Sequence, residues 1–380
     1  MVIIDSDQHL YESRTLWREH IDPSCRDEAL RIEDDAAGMP RLRWRNQDLG
    51  IAEVQVPGRM AEVGERHRRA REGQPSPESY DAVLPRDYWE PSARLAKLSD
   101  LGVDEGVLFP NYGLLWERTL HSSLPALLAN MGAWNRWCAT VAQEGKGRLH
   151  PVAHLSLRDA DWLRAQLRAL SQAGIRLAMI APALVDGRPL SHRQHDRLWA
   201  AFCEFGISPV FHVAEQPRPF ADGWYDEEQA FVSTLGAVFL YVPAALACTD
   251  LILNGTLERF PELRIGIVEL SSLWVPLYLM MLDGAAAFTG QINGVDTTLP
   301  LAPSDYFRRQ VRVSSFAYES PATIVAQLGG TDVLMCCSDY PHSEGTATPI
   351  ADYAASGLDA RAGAAPSLFS DNIAFLLRKH

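Results

Sequence analysis

Asp339 stands at a position where a carboxylate is expensive. It follows the apolar run Val333-Leu334-Met335-Cys336-Cys337 within Ser338-Asp339-Tyr340-Pro341-His342, so it lies where a buried strand ends. A charge placed there requires a cation or several hydrogen-bond donors. Four more ionisable groups share that situation. Asp7 and His9 follow the short strand Val2–Ile4, His212 follows Ser208–Phe211, and Glu269 follows Arg264–Val268. Side chains alternate along a strand, so Asp7-x-His9 directs both groups to one side, where a single ion can meet both. Each signal alone has a bland explanation: a capped loop carboxylate with a surface histidine, a core histidine bonded to backbone, a buried salt bridge. Five such groups at the same ends of successive strands are hard to place without a metal. Mixed imidazole and carboxylate donors suit one divalent ion, Zn²⁺ foremost, with Mn²⁺, Co²⁺ or Fe²⁺ as alternatives.

The elements that must position these groups alternate strand and helix. Strand-like runs occur at Val2–Ile4, Val103–Phe109, Leu149–Leu155, Ile175–Ile180, Ile207–Phe211, Leu263–Val268, Gln310–Ser315 and Val333–Cys337. Helical stretches separate most of them, such as Leu124–Gln143 and Asp159–Ala173, the latter with Trp162, Leu163, Leu167 and Leu170 at helical spacing. Eight strands in that rhythm predict an α/β fold, a (β/α)₈ TIM barrel with an insertion after strand 1. The active site of such a barrel lies at the C-terminal mouth, where the five groups fall. A doubly wound sheet would call for a glycine-rich loop after strand 1, and none is present. We expect one domain over residues 1–380, with residues 10–90 as an insertion or lid. Within it Arg41–Arg45 and Ala52–Val56 read as a small hairpin.

Composition narrows the partners. The formal net charge of −13 argues against nucleic acid. The one basic cluster, Arg66 to Arg71, is flanked by Glu62, Glu65 and Glu72 and reads as a solvated helix face. No charged leader with an apolar core opens the sequence, and no uninterrupted apolar stretch of about 18–20 residues is evident, so neither a signal peptide nor a membrane span is expected. The six cysteines form no C-x-x-C pair and lie in apolar surroundings, which suits a reducing cytoplasm.

The set Asp5-Ser6-Asp7-Gln8-His9-Leu10-Tyr11-Glu12, Phe211-His212, Leu257-Glu258-Arg259-Phe260-Pro261-Glu262-Leu263 running to Glu269 and Trp274-Val275-Pro276, Ser338–His342, and Asp371-Asn372 resembles the amidohydrolase-related family. That is the amidohydrolase-superfamily branch of aminocarboxymuconate-semialdehyde decarboxylase and the resorcylate decarboxylases. The resemblance implies a barrel with one divalent metal bound through Asp7, His9, His212 and Asp339, and a homo-oligomer, often a dimer. Two positions depart from the pattern: Asp7 stands where many of these decarboxylases have His or Glu, and Glu269 where they have His.

The family's reactions include hydrolysis and non-oxidative decarboxylation of small organic molecules. For hydrolysis a metal lowers the pKa of a bound water to about 7, and Asp339 or Glu269 takes its proton. For decarboxylation the same ion would hold a substrate carboxylate while an acid protonates the carbon. Hydrolysis is the expected reaction, decarboxylation the runner-up, and a purely structural metal the third possibility. His342 is expected to support Asp339 from outside the metal shell. Candidate substrate contacts are Arg43, Trp44 and Arg45 in the insertion, Asn111 and Tyr112 after strand 2, His154 at the end of strand 3, and Arg218, Trp224 and Tyr225 after strand 5.

Overall fold

A computed structural model describes residues 1–76, 78–114, 116–213, 220–225, 233–294 and 299–379. Eight strands form one parallel sheet: β1 (Ile4–Leu10), β5 (Glu105–Pro110), β6 (Leu149–His154), β7 (Leu177–Met179), β8 (Ser208–His212), β9 (Ile265–Val268), β10 (Val311–Ser315) and β11 (Leu334–Cys336). Their order in the sheet follows the chain, and helices flank them, as in a (β/α)₈ barrel. The predicted strands are all present, and seven have ends within one or two residues of those expected. The first differs: it begins at Ile4 and runs on to Leu10, so Asp7 and His9 lie within the strand and not after it. Its register with β5 shifts between Asp5 and Gln8, where the polar run enters.

Closure of the sheet takes place at the site itself. Asp339 N donates to Asp7 O at 2.9 Å and His9 N donates to Tyr340 O at 2.7 Å, linking β1 to the segment after β11. Ser338 reinforces the seam: its backbone N–H and its hydroxyl reach the two oxygens of Asp5 at 2.9 and 2.5 Å. Inside the barrel Ile4, Val107, Phe109, Val152, Leu177, Met179, Val210, Val268 and Met335 pack in one cluster, plugged from below by Ile373, Leu376 and Leu377. The polar groups therefore sit above an apolar floor.

The insertion contains a second, antiparallel sheet of β2 (Arg31–Asp34), β3 (Pro40–Trp44) and β4 (Gln47–Ile51). This corrects the hairpin expected from sequence. β3 turns at Arg45-Asn46 and pairs with Gln47–Ile51, not with Ala52–Val56. Arg45 takes φ +51° at the turn, which reverses the chain after two residues. Ala52–Val56 instead crosses to the barrel mouth, where Gln55 Oε1 accepts from Ser343 N at 2.9 Å and Gly58 N donates to Ser343 O at 2.9 Å. The basic helix Met60–Arg71 has no buried residue, and Arg68 pairs with Glu65 and Glu72 along it.

A second correction concerns apolar length. Thr234–Leu253 reaches the length and hydropathy of a membrane span. It is broken into two helices, Thr234–Val238 and Val242–Leu253, and the second buries Ala244, Cys248, Leu251 and Ile252 in the core.

Candidate metal centre

Asp7, His9, His212 and Glu269 each offer an atom within 4.8 Å of the others, and so do His9, Glu269, Asp339 and His342. Both groups share His9 and Glu269, so the six residues form one buried cluster. His9 Nε2 lies 3.2 Å from Asp339 Oδ1, 3.4 Å from Asp7 Oδ1 and 3.6 Å from Glu269 Oε2. His212 Nε2 lies 3.2 Å from Glu269 Oε2 and 3.5 Å from Asp7 Oδ1. His342 Nδ1 lies 2.8 Å from Asp339 Oδ1, and its ring stacks on that of His9 with centroids 3.8 Å apart.

The outward nitrogen of every imidazole is held by a carbonyl oxygen. His9 Nδ1 donates to Pro110 O at 3.0 Å, His212 Nδ1 to Val213 O at 2.8 Å, and His342 Nε2 to Asn111 Oδ1 at 2.8 Å. A carbonyl oxygen only accepts, so each contact places a proton on the outer nitrogen, and in the neutral imidazole, the form that can bind a metal, the inner one is bare. Bare nitrogens facing carboxylates attract nothing from one another. Asp7 Oδ2, His9 Nε2, Glu269 Oε2, both Asp339 carboxylate oxygens and His342 Nδ1 are buried without a hydrogen bond. Orphaned atoms of that kind are rare in folded proteins and mark a missing partner. A divalent cation fits this donor set.

Proton affinities show the same demand for positive charge. Burial works against a charged His9, yet Asp339, Asp7 and Glu269 hold its pKa well above the ordinary value. Burial would raise Asp7, but hydrogen bonds and charge from His212 and His9 outweigh it and the pKa falls. Glu269 rises to about 7, through burial first and the neighbouring Asp339 charge second. With no ion, a proton on His9 is what the carboxylates can attract.

The backbone is strained where it delivers the carboxylates. Glu269 and Asp339 adopt φ +53° and +56°, and Ser271 +59°, conformations that non-glycine residues seldom take. Each turn is held from outside. Glu269 N donates to Ser314 Oγ at 3.0 Å, and the buried Glu319 carboxylate accepts from Ser272 Oγ at 2.7 Å and Ser272 N at 3.1 Å. Beyond β11 the chain folds so closely over Asp339 that a Cβ on Gly345 would collide with the Asp339 carbonyl.

The sequence-predicted residues divide accordingly. Asp7, His9, His212, Asp339 and Glu269 come together, and His342 lies among them, against Asp339. Asn111 reaches the cluster through His342. Tyr112 is turned into an aromatic cluster with Tyr11 and Tyr80, its hydroxyl donating to Glu53 O at 2.7 Å. Trp44 Nε1 donates to Glu28 Oε2, Arg45 pairs with Glu28, and Arg43 lies 3.9 Å from Asp48, so these three fasten the small sheet. They correct the expectation of a substrate clamp there: their polar tips are taken up by Glu28 and Asp48 of the insertion itself. His154 is buried and bonded to Glu117. Trp224 is exposed, Tyr225 half-buried, and Arg218 lies outside the described residues. Sequence reasoning missed Glu319, Ser272, Gly345 and Glu117. A carboxylate in the loop after a barrel strand was the available signal for Glu117 and Glu319.

The family model described as Amidohydrolase matches residues 4–379, and the chain belongs to that family. No curated protein matches. Among solved structures, an amidohydrolase from Mycobacterium avium subsp. paratuberculosis K-10 is 22% identical over 99% of each chain, with a TM-score of 0.77. The 5-carboxyvanillate decarboxylase of Novosphingobium aromaticivorans DSM 12444, in a mutant form with bound manganese and a nitrobenzoic acid, is 16% identical over 99% of this chain and 97% of that one, at 0.65. A 2,6-dihydroxybenzoate decarboxylase from Rhizobium is 13% identical over 100% and 99%, at 0.59. At such identities the structural likeness shows the fold, which these proteins share.

Proposed function

We propose that the cluster holds one divalent metal ion and that the protein hydrolyses a small organic substrate at the barrel mouth. The observation that carries this is the set of three imidazoles, each with its outer nitrogen tied to a carbonyl and its inner nitrogen turned bare toward carboxylates. Asp7, His9, His212 and Asp339 would hold the ion, with Glu269 and His342 completing the shell or facing substrate. The ion would supply Lewis-acid polarisation of a substrate carbonyl and a water acidic enough to be deprotonated near neutral pH. Asp339, both of whose carboxylate oxygens lack a hydrogen bond, would take a proton at the mouth. Burial and the Asp339 charge push the Glu269 carboxyl up to about 7 without an ion, and in its protonated form it would protonate a leaving group.

Charge favours hydrolysis over decarboxylation. Asp7, Glu269 and Asp339 can together carry more negative charge than one divalent cation offsets, and a carboxylated substrate would add another in a buried site. A neutral ester, lactone or amide adds none. The likeness in fold to carboxyvanillate and dihydroxybenzoate decarboxylases supports the second reading, in which a protonated Glu269 relieves that repulsion. Metal analysis of the purified protein tests the site, and less than about one ion per chain after reconstitution refutes it. Turnover in ¹⁸O-labelled water separates the reactions: hydrolysis places the label in the organic product, whereas decarboxylation releases CO₂ and leaves the organic product unlabelled.

We also propose that a second copy of the chain covers the helix Val275–Asn293, which leaves Leu277, Met280, Met281, Phe288 and Ile292 exposed. A contiguous apolar face of that kind is costly in water. Light scattering should report a dimer that Met280→Glu with Phe288→Glu converts to monomer.

A further inference from the structure

One polar group on the inner wall of the barrel has no part in the metal cluster. Val152 of β6 packs in the interior with Phe109, Met179 and Val210. Two residues on, His154 points to the same side, one step nearer the mouth. It ends its strand one position along the sheet from β5, whose Phe109 ring lies 4.1 Å from that of His212. His154 is therefore in the same upper layer as the cluster.

Its position is fixed with some care. Asn135 Oδ1 accepts from His154 N at 2.8 Å, while Asn135 Nδ2 donates to His154 O at 3.1 Å and to Gln166 Oε1 at 3.0 Å. Glu117, from the loop after β5, lies with Oε2 at 2.8 Å from His154 Nε2. An ionised carboxylate only accepts, so Nε2 carries the proton and neutral His154 has its lone pair on Nδ1. That Nδ1 is buried with no hydrogen-bond partner. Trp116 packs against the ring with centroids 5.2 Å apart, and its indole Nε1, which can only donate, is also buried without a partner.

An unpartnered acceptor and an unpartnered donor on two packed rings, both closed to bulk water, call for a group that gives one hydrogen bond and takes another. A hydroxyl does both, whereas a carboxylate offers His154 Nδ1 no proton and a methyl group satisfies neither. We propose that His154, oriented by Glu117, and Trp116 form a subsite for a phenolic, enolic or alcoholic hydroxyl of the substrate, with the hydroxyl donating to His154 Nδ1 and accepting from Trp116 Nε1. The subsite rests on the mouth being the active site, and it deepens that reading by adding the substrate class: a neutral carbonyl compound that also bears a hydroxyl.

The test compares benzamide with 2-, 3- and 4-hydroxybenzamide as binding probes of the metal-loaded protein, by ligand-observed NMR titration. The wild type should bind one hydroxylated isomer about tenfold or more tightly than benzamide, since a site built for a hydroxyl discriminates against an analogue that lacks it. His154→Phe and Trp116→Phe should each bring that ratio close to one, with metal content unchanged. Trp116→Phe keeps an aromatic ring in the contact, so it decides the matter where His154→Phe fails to fold. A preference that survives in both variants overturns the subsite, because the hydroxyl is then read elsewhere, as by chelation of the metal. No preference in the wild type overturns it too and leaves an ordered water as the only occupant. Metal content is measured separately. A chain without stoichiometric metal that still prefers the hydroxylated probe loses the metal reading and keeps this one.

Discussion

The two ends of the barrel treat charge in opposite ways. At the closed end, Arg264 and Arg312 stack on Phe375 of the C-terminal helix, at 4.2 and 4.3 Å from the ring centre. Their N–H groups reach the carbonyls of Phe375, Arg308 and Val311, and Glu105 pairs with both His150 and Lys379. Arg312 Nε and Arg378 Nε are the buried exceptions at that end. At the open end three carboxylates and three histidines crowd together, with six of their atoms unpartnered and two non-glycine carboxylate residues held at positive φ. Charges below are spread, stacked and paired to keep the barrel folded; charges above are concentrated and left unsatisfied. In a fold whose strands all run one way, that asymmetry separates stability from chemistry.

The largest test of this contrast is Asp339→Asn. It should abolish stoichiometric metal binding by elemental analysis and reduce turnover by on the order of 10²–10⁴. Thermal stability of the metal-free protein should not fall, because a crowded negative charge is gone. A large loss of metal-free stability would place Asp339 among the groups that hold the fold. Leu376→Ala at the closed end should do the reverse, costing about 2–5 kcal/mol in denaturant unfolding through the cavity it leaves, with metal content per folded chain unchanged. A smaller effect is expected for Asn111→Ala, which frees the outer nitrogen of His342: metal affinity should drop about 10–100-fold in a competition titration with a chelator. Gly345→Ala pushes on the Asp339 turn, and metal affinity should suffer more than stability. Equal losses would mean that the turn serves the fold generally.

The smallest effect is a slope. Glu12 is buried and accepts from Tyr112 N and Gly113 N at 2.9 Å, yet burial raises its pKa from 4.5 to about 7. The folded state thus binds a proton that the unfolded state has released. That contribution to stability is complete below about pH 4.5 and is lost as pH rises through about 7. Glu12→Gln should flatten the stability profile across that window, measured by unfolding at several pH values. An unchanged slope would mean that another group sets it.

Much of this was readable before the fold was known, for particular reasons. Strand runs such as Val333–Cys337 are apolar throughout because a barrel strand is buried on both faces, and their ends announce themselves where an ionisable residue follows. Asp7, His9, His212, Glu269 and Asp339 were found that way. Trp44 and Tyr112 were not separable from ligand contacts, since a buried aromatic with a polar tip has the same appearance in sequence whether its partner is Glu28, the Glu53 carbonyl or a substrate.

The sequence by itself determined the barrel, the end of it that bears chemistry, and the residue types that meet there. Those follow from local periodicity and from the cost of burying charge, which each strand expresses independently. Only the tertiary structure decided how they meet. His342 turns inward because Asn111, more than two hundred residues earlier in the chain, holds its outer nitrogen. Glu269 enters the cluster because Glu319 and Ser272 hold its turn while Ser314 holds its N–H. Asp339 faces Asp7 and His9 because the last strand closes on the first through their backbones. Hydrogen bonds between distant segments leave no period in the sequence, and these set the direction of every nitrogen and oxygen at the site.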